Sequence, residues 1–295
     1  PLNGLAKSDA QRNIPAAVEA SRWTHGGITA CRLEHLANYG LLLKDGCTND
    51  TIQQNEFHDL GGGGIEVGRD YSGTGAATVD DNWIHDGGKV FPFAPGLRIG
   101  DSGGNTISNN EVSDFFYSGI MVGWVVGYGT SNAVNNQVNN NHVHHIGQGL
   151  LSDMGGIYCL GVSPGTRIGN NIVHDVFADP NGYGGWGLYL DEGSSNIHID
   201  HNIVYNTGTG GFHINYGKNN LVENNIFAWS NTEQLSRAQP DADNVADVIF
   251  QKNIVLFNND QLLNGNWFDN HFAFDNNCYY DVSGAKDFPF LLGTF

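Results

Sequence analysis

The sequence predicts an all-β protein with a single domain, a right-handed parallel β-helix of about eight or more coils. Two observations support this prediction: a short strand-and-turn unit recurs along most of the chain, and the composition suits many turns. Glycine accounts for 41 of 295 residues and charged residues for only 15%, as expected where tight turns are frequent. Because 40% of the residues are hydrophobic, we expect a packed core rather than disorder.

The first cue of the repeating unit is a glycine followed by an apolar, a variable and an apolar residue. It begins at residues 40, 64, 96, 119, 156, 187 and 211, with intervals of 24, 32, 23, 37, 31 and 24 residues. The period is too short for a propeller blade, and leucine-rich-repeat spacing is missing. The cue therefore indicates one short β-strand per coil, with insertions in some coils.

The second cue is an asparagine followed by a variable residue, an apolar residue and often histidine. Its asparagines are Asn55, Asn82, Asn110, Asn141, Asn171, Asn202 and Asn225, with a further copy at Asn253. Amides at equivalent turns of a solenoid can bond from coil to coil, and asparagine tolerates left-handed backbone. We therefore predict a structural asparagine ladder.

Histidines recur at equivalent turns just after these asparagines, at His58, His85, His144 and His174. Because they repeat along the coils rather than converge on one place, we interpret them as scaffold and predict no metal site. The four cysteines show no CxxC spacing, so we expect buried free thiols, with a Cys31–Cys47 bridge as the alternative. Cys31 occupies a position that asparagine holds in other coils.

The chain ends differ from the repeats. Residues 1–30 are predicted to form an N-terminal cap, with a possible helix over residues 15–23, because solenoids need atypical ends. Residues 31–260 are predicted to form the β-helix core, and residues 261–295 an irregular C-terminal capping segment of the same domain.

Charge restricts the partners. The formal charge of −18, from 31 acidic and 13 basic residues, disfavours nucleic acid as a partner. The sequence contains no apolar run long enough to span a membrane. We expect a monomer that acts on a polysaccharide or oligosaccharide in a secreted or periplasmic location, without a cofactor.

Side chains alternate along each strand, so one set faces the core and the other faces outward. The predicted core set is Ile157, Cys159, Leu188, Leu190, Phe212 and Ile214. The predicted outward set is Tyr158, Tyr189, Asp191, His213 and Asn215. Long insertions flank these strands, so we expect loop walls around an outward-facing floor, which together form a cleft.

Two aspartates are the candidate catalytic residues. Asp191 is predicted to face outward on the floor, and Asp153 ends a wall insertion just before the preceding strand. Glycoside hydrolysis needs two carboxyls, one that protonates the leaving oxygen and one that acts as base or nucleophile. Loop aromatics suit the apolar faces of sugars, so the predicted substrate-binding residues are Tyr158, Tyr189, His213, Asn215, Trp124, Trp186, Glu192 and Glu66, with Arg69 and Asp70 beside Glu66 as a weaker extension.

Two segments carry a resemblance to a known family. They are SDMGGIYCLGVSPGTRIGNNIVHDV and YGGWGLYLDEGSSNIHIDHNIVYNTGTGGFHINYGKNNLVENNIFA. Over about residues 25–260 the chain resembles the β-helix module of glycoside hydrolase family 141, which includes α-L-fucosidase and xylanase activities. The resemblance implies a catalytic pair formed by the aspartates of DMGGIY and YLDEG, which are Asp153 and Asp191 here.

Two other classes of function stay open. A polysaccharide lyase or uronate epimerase needs a basic residue and cations beside an acidic sugar, and the predicted floor offers mostly acids, with Lys218 nearby. A calcium site at Asp153, Asp191 and Glu192 would favour that alternative. A carbohydrate-binding solenoid without catalysis would need the aromatic groove but not the paired acids.

Overall fold

The computed structural model describes residues 14–69, 73–239, 245–258 and 261–284. Its secondary structure consists of 32 strands, numbered in chain order, and no helix occurs within these ranges. Accordingly, the described chain has no helix that could cross a membrane. Three parallel sheets of ten strands each run along the molecule, which confirms the prediction of a parallel β-solenoid.

Each coil contributes one strand to each of three sheets. Sheet 1 contains β1 (Ala16–Ser21), β4 (Tyr39–Lys44), β7 (Ile65–Val67), β10 (Leu97–Ile99), β13 (Ile120–Gly123), β16 (Met154–Leu160), β19 (Gly185–Leu190), β23 (Gly210–Ile214), β27 (Leu235–Arg237) and β30 (Leu263–Gly265). Sheet 2 contains β2 (Gly27–Thr29), β5 (Thr51–Gln53), β8 (Thr78–Asp80), β11 (Thr106–Ser108), β14 (Gln137–Asn139), β17 (Arg167–Gly169), β21 (His198–Asp200), β25 (Asn220–Glu223), β28 (Val248–Gln251) and β31 (Phe272–Asp275).

The third sheet follows the asparagine turn of each coil. Sheet 3 contains β3 (Arg32–Leu36), β6 (Glu56–Leu60), β9 (Trp83–His85), β12 (Glu111–Phe115), β15 (His142–Ile146), β18 (Ile172–Val176), β22 (Ile203–Thr207), β26 (Ile226–Ala228), β29 (Ile254–Phe257) and β32 (Cys278–Asp281). A short additional pair is β20 (Ser194–Ser195) with β24 (Gly217–Lys218).

The possible helix over residues 15–23 is wrong. The segment instead forms β1, in which Val18 pairs with Leu41 of β4. Alanine is the strongest intrinsic helix former, but helix propensity is a small effect, and parallel pairing with the next coil overrides it. Strands β1 and β2 are thus the first strands of sheets 1 and 2.

The predicted core is confirmed. Ile157, Leu188 and Phe212 stack in register on adjacent strands, and all three are at most 1% exposed. Cys159, Leu190 and Ile214 form a second inward row with the same register. Stacking of like side chains along the solenoid removes apolar surface from water at every coil, and this burial drives folding.

The asparagine ladder is also confirmed. Each Nδ2 donates to the Oδ1 of the asparagine in the next coil at 2.9–3.2 Å, from Asn55 as far as Asn277. The left-handed backbone belongs to the preceding residue, such as Asn140 (φ 59°) or Asn170 (φ 57°), and not to the ladder residue itself. Asparagine pairs in the sequence therefore divide two tasks: the first turns the chain and the second bonds between coils.

All four cysteines are free. Cys47 and Cys159 are buried as expected, but Cys31 and Cys278 are exposed, so the prediction of buried thiols is wrong for these two. Cys31 stands at the first position of the ladder column, where its amide donates to Asn55 Oδ1 at 2.9 Å. Cys278 points outward from β32, in register with exposed Ile254.

Candidate functional site

The outward row of sheet 1 forms the base of the candidate site. In consecutive strands this row contains Met121, Tyr158, Tyr189, His213 and Ser236. The outward direction agrees with the sequence prediction, but the side chains are not solvated: Tyr189 is 1% and His213 is 3% exposed. Aromatic neighbours cover them, so the floor is a buried layer rather than an open surface.

Asp191 directly follows β19, and hydrogen bonds fix both its backbone amide and its carboxylate. Its amide donates to the carbonyl of Cys159 at 2.8 Å. One carboxylate oxygen accepts from Asn215 Nδ2 at 2.9 Å, and the other accepts from the Tyr158 hydroxyl. The residue is 7% exposed, and these two donors stabilise its negative charge.

Asp153 lies at the end of the wall insertion, immediately before β16. Its backbone is left-handed (φ 59°). Its amide donates to the carbonyl of Gly184 at 2.7 Å, and its own carbonyl accepts from the Tyr117 hydroxyl at 2.7 Å. Its Oδ1 accepts from the Tyr189 hydroxyl at 3.0 Å. These contacts fix the carboxyl beside the buried floor.

The environment of Asp153 favours the protonated acid. Although the residue has exposed surface, protein atoms crowd its carboxyl. This desolvation, together with the negative charge of Asp191, raises the pKa to about 6, against an opposing hydrogen bond from Tyr189. The charge of Glu192 acts in the same direction as that of Asp191. Asp153 therefore retains its proton in mildly acidic solution, where an ordinary aspartate would lose it.

Two stacked tyrosines connect the aspartates. The rings of Tyr158 and Tyr189 are 4.3 Å apart and nearly parallel; one hydroxyl bonds to Asp191 and the other to Asp153. Burial raises the pKa of both phenols well above their usual value. Both tyrosines consequently remain hydrogen-bond donors, and the stack fixes the two carboxyls relative to each other.

His213 continues the layer beyond Tyr189. Its ring stacks on Trp186 at 4.0 Å, and its Nδ1 lies 2.8 Å from Ser236 Oγ. Desolvation lowers the pKa of His213 to about 3, so the ring is neutral throughout the ordinary range of pH. It therefore supplies polarity and shape to the site but no positive charge.

A pocket of about 200 Å³ opens beside this histidine. Its lining includes Trp186, His213, Glu233 and exposed Tyr183. Glu233 is 2% exposed and accepts from the Trp186 indole at 3.2 Å. An aromatic wall next to a carboxylate suits a polyhydroxylated ligand, whose apolar face packs on rings while its hydroxyls bond to acids.

Of the remaining residues predicted to bind substrate, Trp124 and Glu192 lie at this site and Glu66 lies elsewhere on sheet 1. Trp124 packs edge-on against Tyr158 at 5.2 Å, at the site. Glu192 is partly buried next to Asp191. Glu66, by contrast, lies on β7, three strands from Tyr158 in the same outward row. It is fully buried and forms ion pairs with Arg98 and Arg69.

The structure therefore separates Glu66 from the aspartate pair and gives it a buried ion-pairing position. Asp70, predicted beside it, lies outside the described residues. Conversely, sequence reasoning missed Glu233 and Ser236, which lie at the site although they fall in a part of the chain with weaker repeats. Extending the outward row by one strand beyond His213 would have identified Ser236 as a site residue.

A family model described as "Right handed beta helix region" matches residues 17–178 and 126–233. The chain belongs to this right-handed beta helix family. Its members' handedness agrees with the prediction from the sequence, and parallel crossovers are almost always right-handed. No curated protein sequence matches the chain.

Solved structures share the fold of this right-handed beta helix protein. A glycoside hydrolase is 19% identical, with a TM-score of 0.58, over 90% of this chain and 38% of its own. The exopolygalacturonase of Thermotoga maritima is 11% identical (TM-score 0.56; 82% and 55% covered). An alginate lyase from Paenibacillus sp. FPU-7 is 12% identical (TM-score 0.52; 85% and 95% covered). The chain thus spans well under half of that glycoside hydrolase.

Proposed function

We propose that this beta helix protein is a glycoside hydrolase that cleaves a polysaccharide, with an α-L-fucosidase-like or xylanase-like activity of the kind found in glycoside hydrolase family 141. The observation that carries the proposal is the aspartate pair: two neighbouring carboxyls, one favoured as the acid and the other stabilised as the anion. Glycan-acting proteins among the structural neighbours support the same general class.

Asp153 is the proposed general acid. Its raised pKa leaves a proton on the carboxyl in mildly acidic solution, and its exposed edge gives a glycosidic oxygen access to that proton. Protonation of the leaving oxygen lets the bond to the sugar carbon break without releasing an alkoxide. Tyr189, bonded to Oδ1, aims the carboxyl.

Asp191 is the proposed base or nucleophile. Tyr158 and Asn215 donate to its two oxygens and stabilise the carboxylate. As a base it would take a proton from an attacking water, and as a nucleophile it would bond to the sugar carbon directly. We assign Tyr158, Tyr189 and Asn215 as positioning residues, because they are buried and bond to the carboxyls.

Sugar recognition is proposed for the aromatic side chains around the pair. Trp124 and Tyr183 lie above the buried layer with accessible ring surface, whereas Trp186 and His213 form one side of the adjoining pocket. Glu192 and Glu233 offer carboxylates to sugar hydroxyls. Because polysaccharides are encountered mainly outside cells, a secreted or periplasmic location is part of this proposal.

The deciding experiment is a product screen. Purified protein is incubated with aryl glycosides and with plant and algal polysaccharides, and released reducing sugars are identified by chromatography. Asp153→Asn and Asp191→Asn serve as the variants impaired on natural polysaccharide, and Asp114→Asn is the control matched to Asp153. Asp114 has the same left-handed backbone as Asp153 (φ 60° and 59°) but lies on sheet 3.

Sugar release by the wild type and by Asp114→Asn, with impaired release from polysaccharide by Asp153→Asn and Asp191→Asn, is the expected result. Unsaturated uronic acid products would instead establish a lyase, as one structural neighbour is named. Retained glycan binding without any product after long incubation would establish a binding solenoid and overturn hydrolysis.

A further inference from the structure

A second cluster of chemically active side chains lies on sheet 3, apart from the aspartate pair on sheet 1. Glu111, His142, His144 and His174 come from β12, β15 and β18, which are adjacent strands. Glu111 pairs in register with His142, and His144 pairs with His174. The four positions therefore form a staggered patch on the outer face of three successive coils, with one residue from the first coil, two from the second and one from the third.

The donor atoms in this patch converge. His144 Nε2 is 3.3 Å from Glu111 Oε1, and His142 Nε2 is 2.8 Å from His174 Nε2. Ligand atoms of Glu111, His142 and His144 all lie within 4.8 Å of one another. Tetrahedral zinc with nitrogen ligands at about 2.0–2.1 Å separates neighbouring donors by about 3.3 Å. Ligand atoms of Glu111, His142 and His144 are therefore already close enough to share one ion, and rotation of the His174 ring, whose Nε2 lies beside that of His142, would supply the fourth donor.

A second layer orients one of the rings. His174 Nδ1 lies 2.6 Å from Asp175 Oδ2, and Asn206 donates to the other Asp175 oxygen. A carboxylate that accepts from Nδ1–H leaves Nε2 as the ring nitrogen that carries the lone pair, which is the arrangement found behind metal-bound histidines.

A histidine cluster nearer the N-terminus of the same sheet shows the contrast. There, His58 lies beside Glu34 and Glu56, but the guanidinium of Arg32 fills the space, with Nε 3.1 Å from His58 Nε2. Among the described residues, Glu111 forms an ion pair with His144 and with no lysine or arginine. Among the described residues, no lysine or arginine therefore pairs with the acid of the three-histidine patch, whereas Arg32 pairs with the acids around His58.

We propose that Glu111, His142, His144 and His174 bind one first-row transition-metal dication, such as Zn²⁺, which cross-links three successive coils. Imidazole nitrogens with one carboxylate form a donor set that zinc accepts, whereas calcium and magnesium prefer oxygen ligands. The site is independent of the proposed hydrolase activity, because its residues lie on a different sheet from Asp153 and Asp191. Its role is to stabilise the middle coils.

Calorimetric titration of the untagged, chelator-stripped chain with Zn²⁺ tests the proposal. We expect one equivalent to bind, without competition from excess Mg²⁺ or Ca²⁺. His142→Gln and Glu111→Gln should each weaken binding at least about 10-fold, and Asp175→Asn, which keeps every ligand, about 10-fold. His85→Gln is the matched control: His85 occupies the same row as His144, two strands away, outside the patch.

Thermal unfolding gives an independent measurement. Saturating Zn²⁺ should raise the melting temperature of the wild type and of His85→Gln, because the ion binds the folded chain, and at the same zinc concentration it should raise that of His142→Gln by less. Absence of saturable binding, or equal affinity in folded patch variants, would overturn the site. Should His142→Gln fail to fold by circular dichroism, His174→Gln and Asp175→Asn decide the same question.

Discussion

At the scale of single residues, Asp153 and Asp191 have the same side chain but different surroundings. Asp191 accepts hydrogen bonds from a phenol and an amide. Asp153 is crowded by protein atoms and faces the charge of Asp191, which raises its pKa to about 6. In glycoside hydrolysis the general acid must hold a proton that it can donate, and the raised pKa of Asp153 suits this proposed role.

The first prediction concerns the pair itself. Asp153→Asn and Asp191→Asn should each fold normally and lose roughly 10²-fold or more in rate, the scale for removal of a positioned acid or base. Aryl glycosides with good leaving groups need little protonation, so they should partly restore Asp153→Asn and not Asp191→Asn. The measurement is steady-state kinetics with circular dichroism as the fold control. Near-normal turnover in either variant would contradict the assignment.

The second prediction concerns pH. Since Asp153 must hold its proton, the rate on natural substrate should fall as the pH rises through about 6. With an activated aryl glycoside, Asp153→Asn should lack this decline. His213 cannot cause it, because its pKa is lowered to about 3. An unchanged decline in Asp153→Asn would assign the titration to another group.

The same shift has a consequence for stability. The folded-state pKa of Asp153 lies above the ordinary value of 3.8, so the folded chain binds this proton more tightly than the unfolded chain. Its contribution to stability is therefore present below pH 3.8 and is lost as the pH rises through about 6.

At the scale of elements, the turn between sheets 2 and 3 is the most regular part of each coil. A left-handed residue bends the chain from sheet 2 into sheet 3, and the following asparagine bonds to groups of the neighbouring coils. Asn171, for example, donates to the Val138 carbonyl at 2.9 Å and to Asn202 Oδ1 at 2.9 Å. Its own Oδ1 accepts from both the amide and the side chain of Asn141.

The third prediction follows from this ladder. Asn171→Ala should lower the free energy of unfolding by about 1–3 kcal/mol, because buried partners lose their hydrogen bonds, with little change in turnover per folded molecule. Chemical denaturation measures the first quantity and active-site kinetics the second. Gln137→Ala, on the outside of β14, is the control and should change stability little. Unchanged stability with abolished turnover would contradict a structural role.

At the scale of the whole molecule, the solenoid places the proposed catalytic carboxyls and the histidine patch on separate faces. The carboxyl pair lies along sheet 1, whereas the histidine patch lies on sheet 3, and the core separates the two sheets. Asp153 precedes β16 and Asp191 follows the neighbouring strand β19, so strand register does not place the two carboxyls side by side. The hydroxyls of the two stacked tyrosines each bond to one carboxyl and link the pair.

The fourth prediction is that metal is dispensable for catalysis. The described partners of Asp153 and Asp191 are tyrosine, asparagine and backbone groups, and the proposed acid–base chemistry needs no ion. Activity at moderate temperature should survive EDTA, even where the chelator lowers the melting temperature by removing zinc. Complete inactivation that calcium restores would favour a lyase instead.

The sequence by itself determined the solenoid, its core rows and its ladder, because these depend on local alternation and on a repeat that copies each position. It also selected Asp153 and Asp191, through strand direction, loop position and family resemblance. Repetition makes neighbours in space predictable without coordinates, since equivalent residues of successive coils must stack.

Tertiary structure alone decided what surrounds those positions. Alternation gave the outward direction of Tyr189 and His213 but not the aromatic cover that buries them. The alternation of side chains also did not predict the buried ion pair between Glu66 and Arg98. Nor did it predict the distance of 2.8 Å between the Nε2 atoms of His142 and His174. Burial, pKa shifts and diagonal contacts depend on how insertions of unequal length fold over the coils, and that packing is not repeated from one coil to the next.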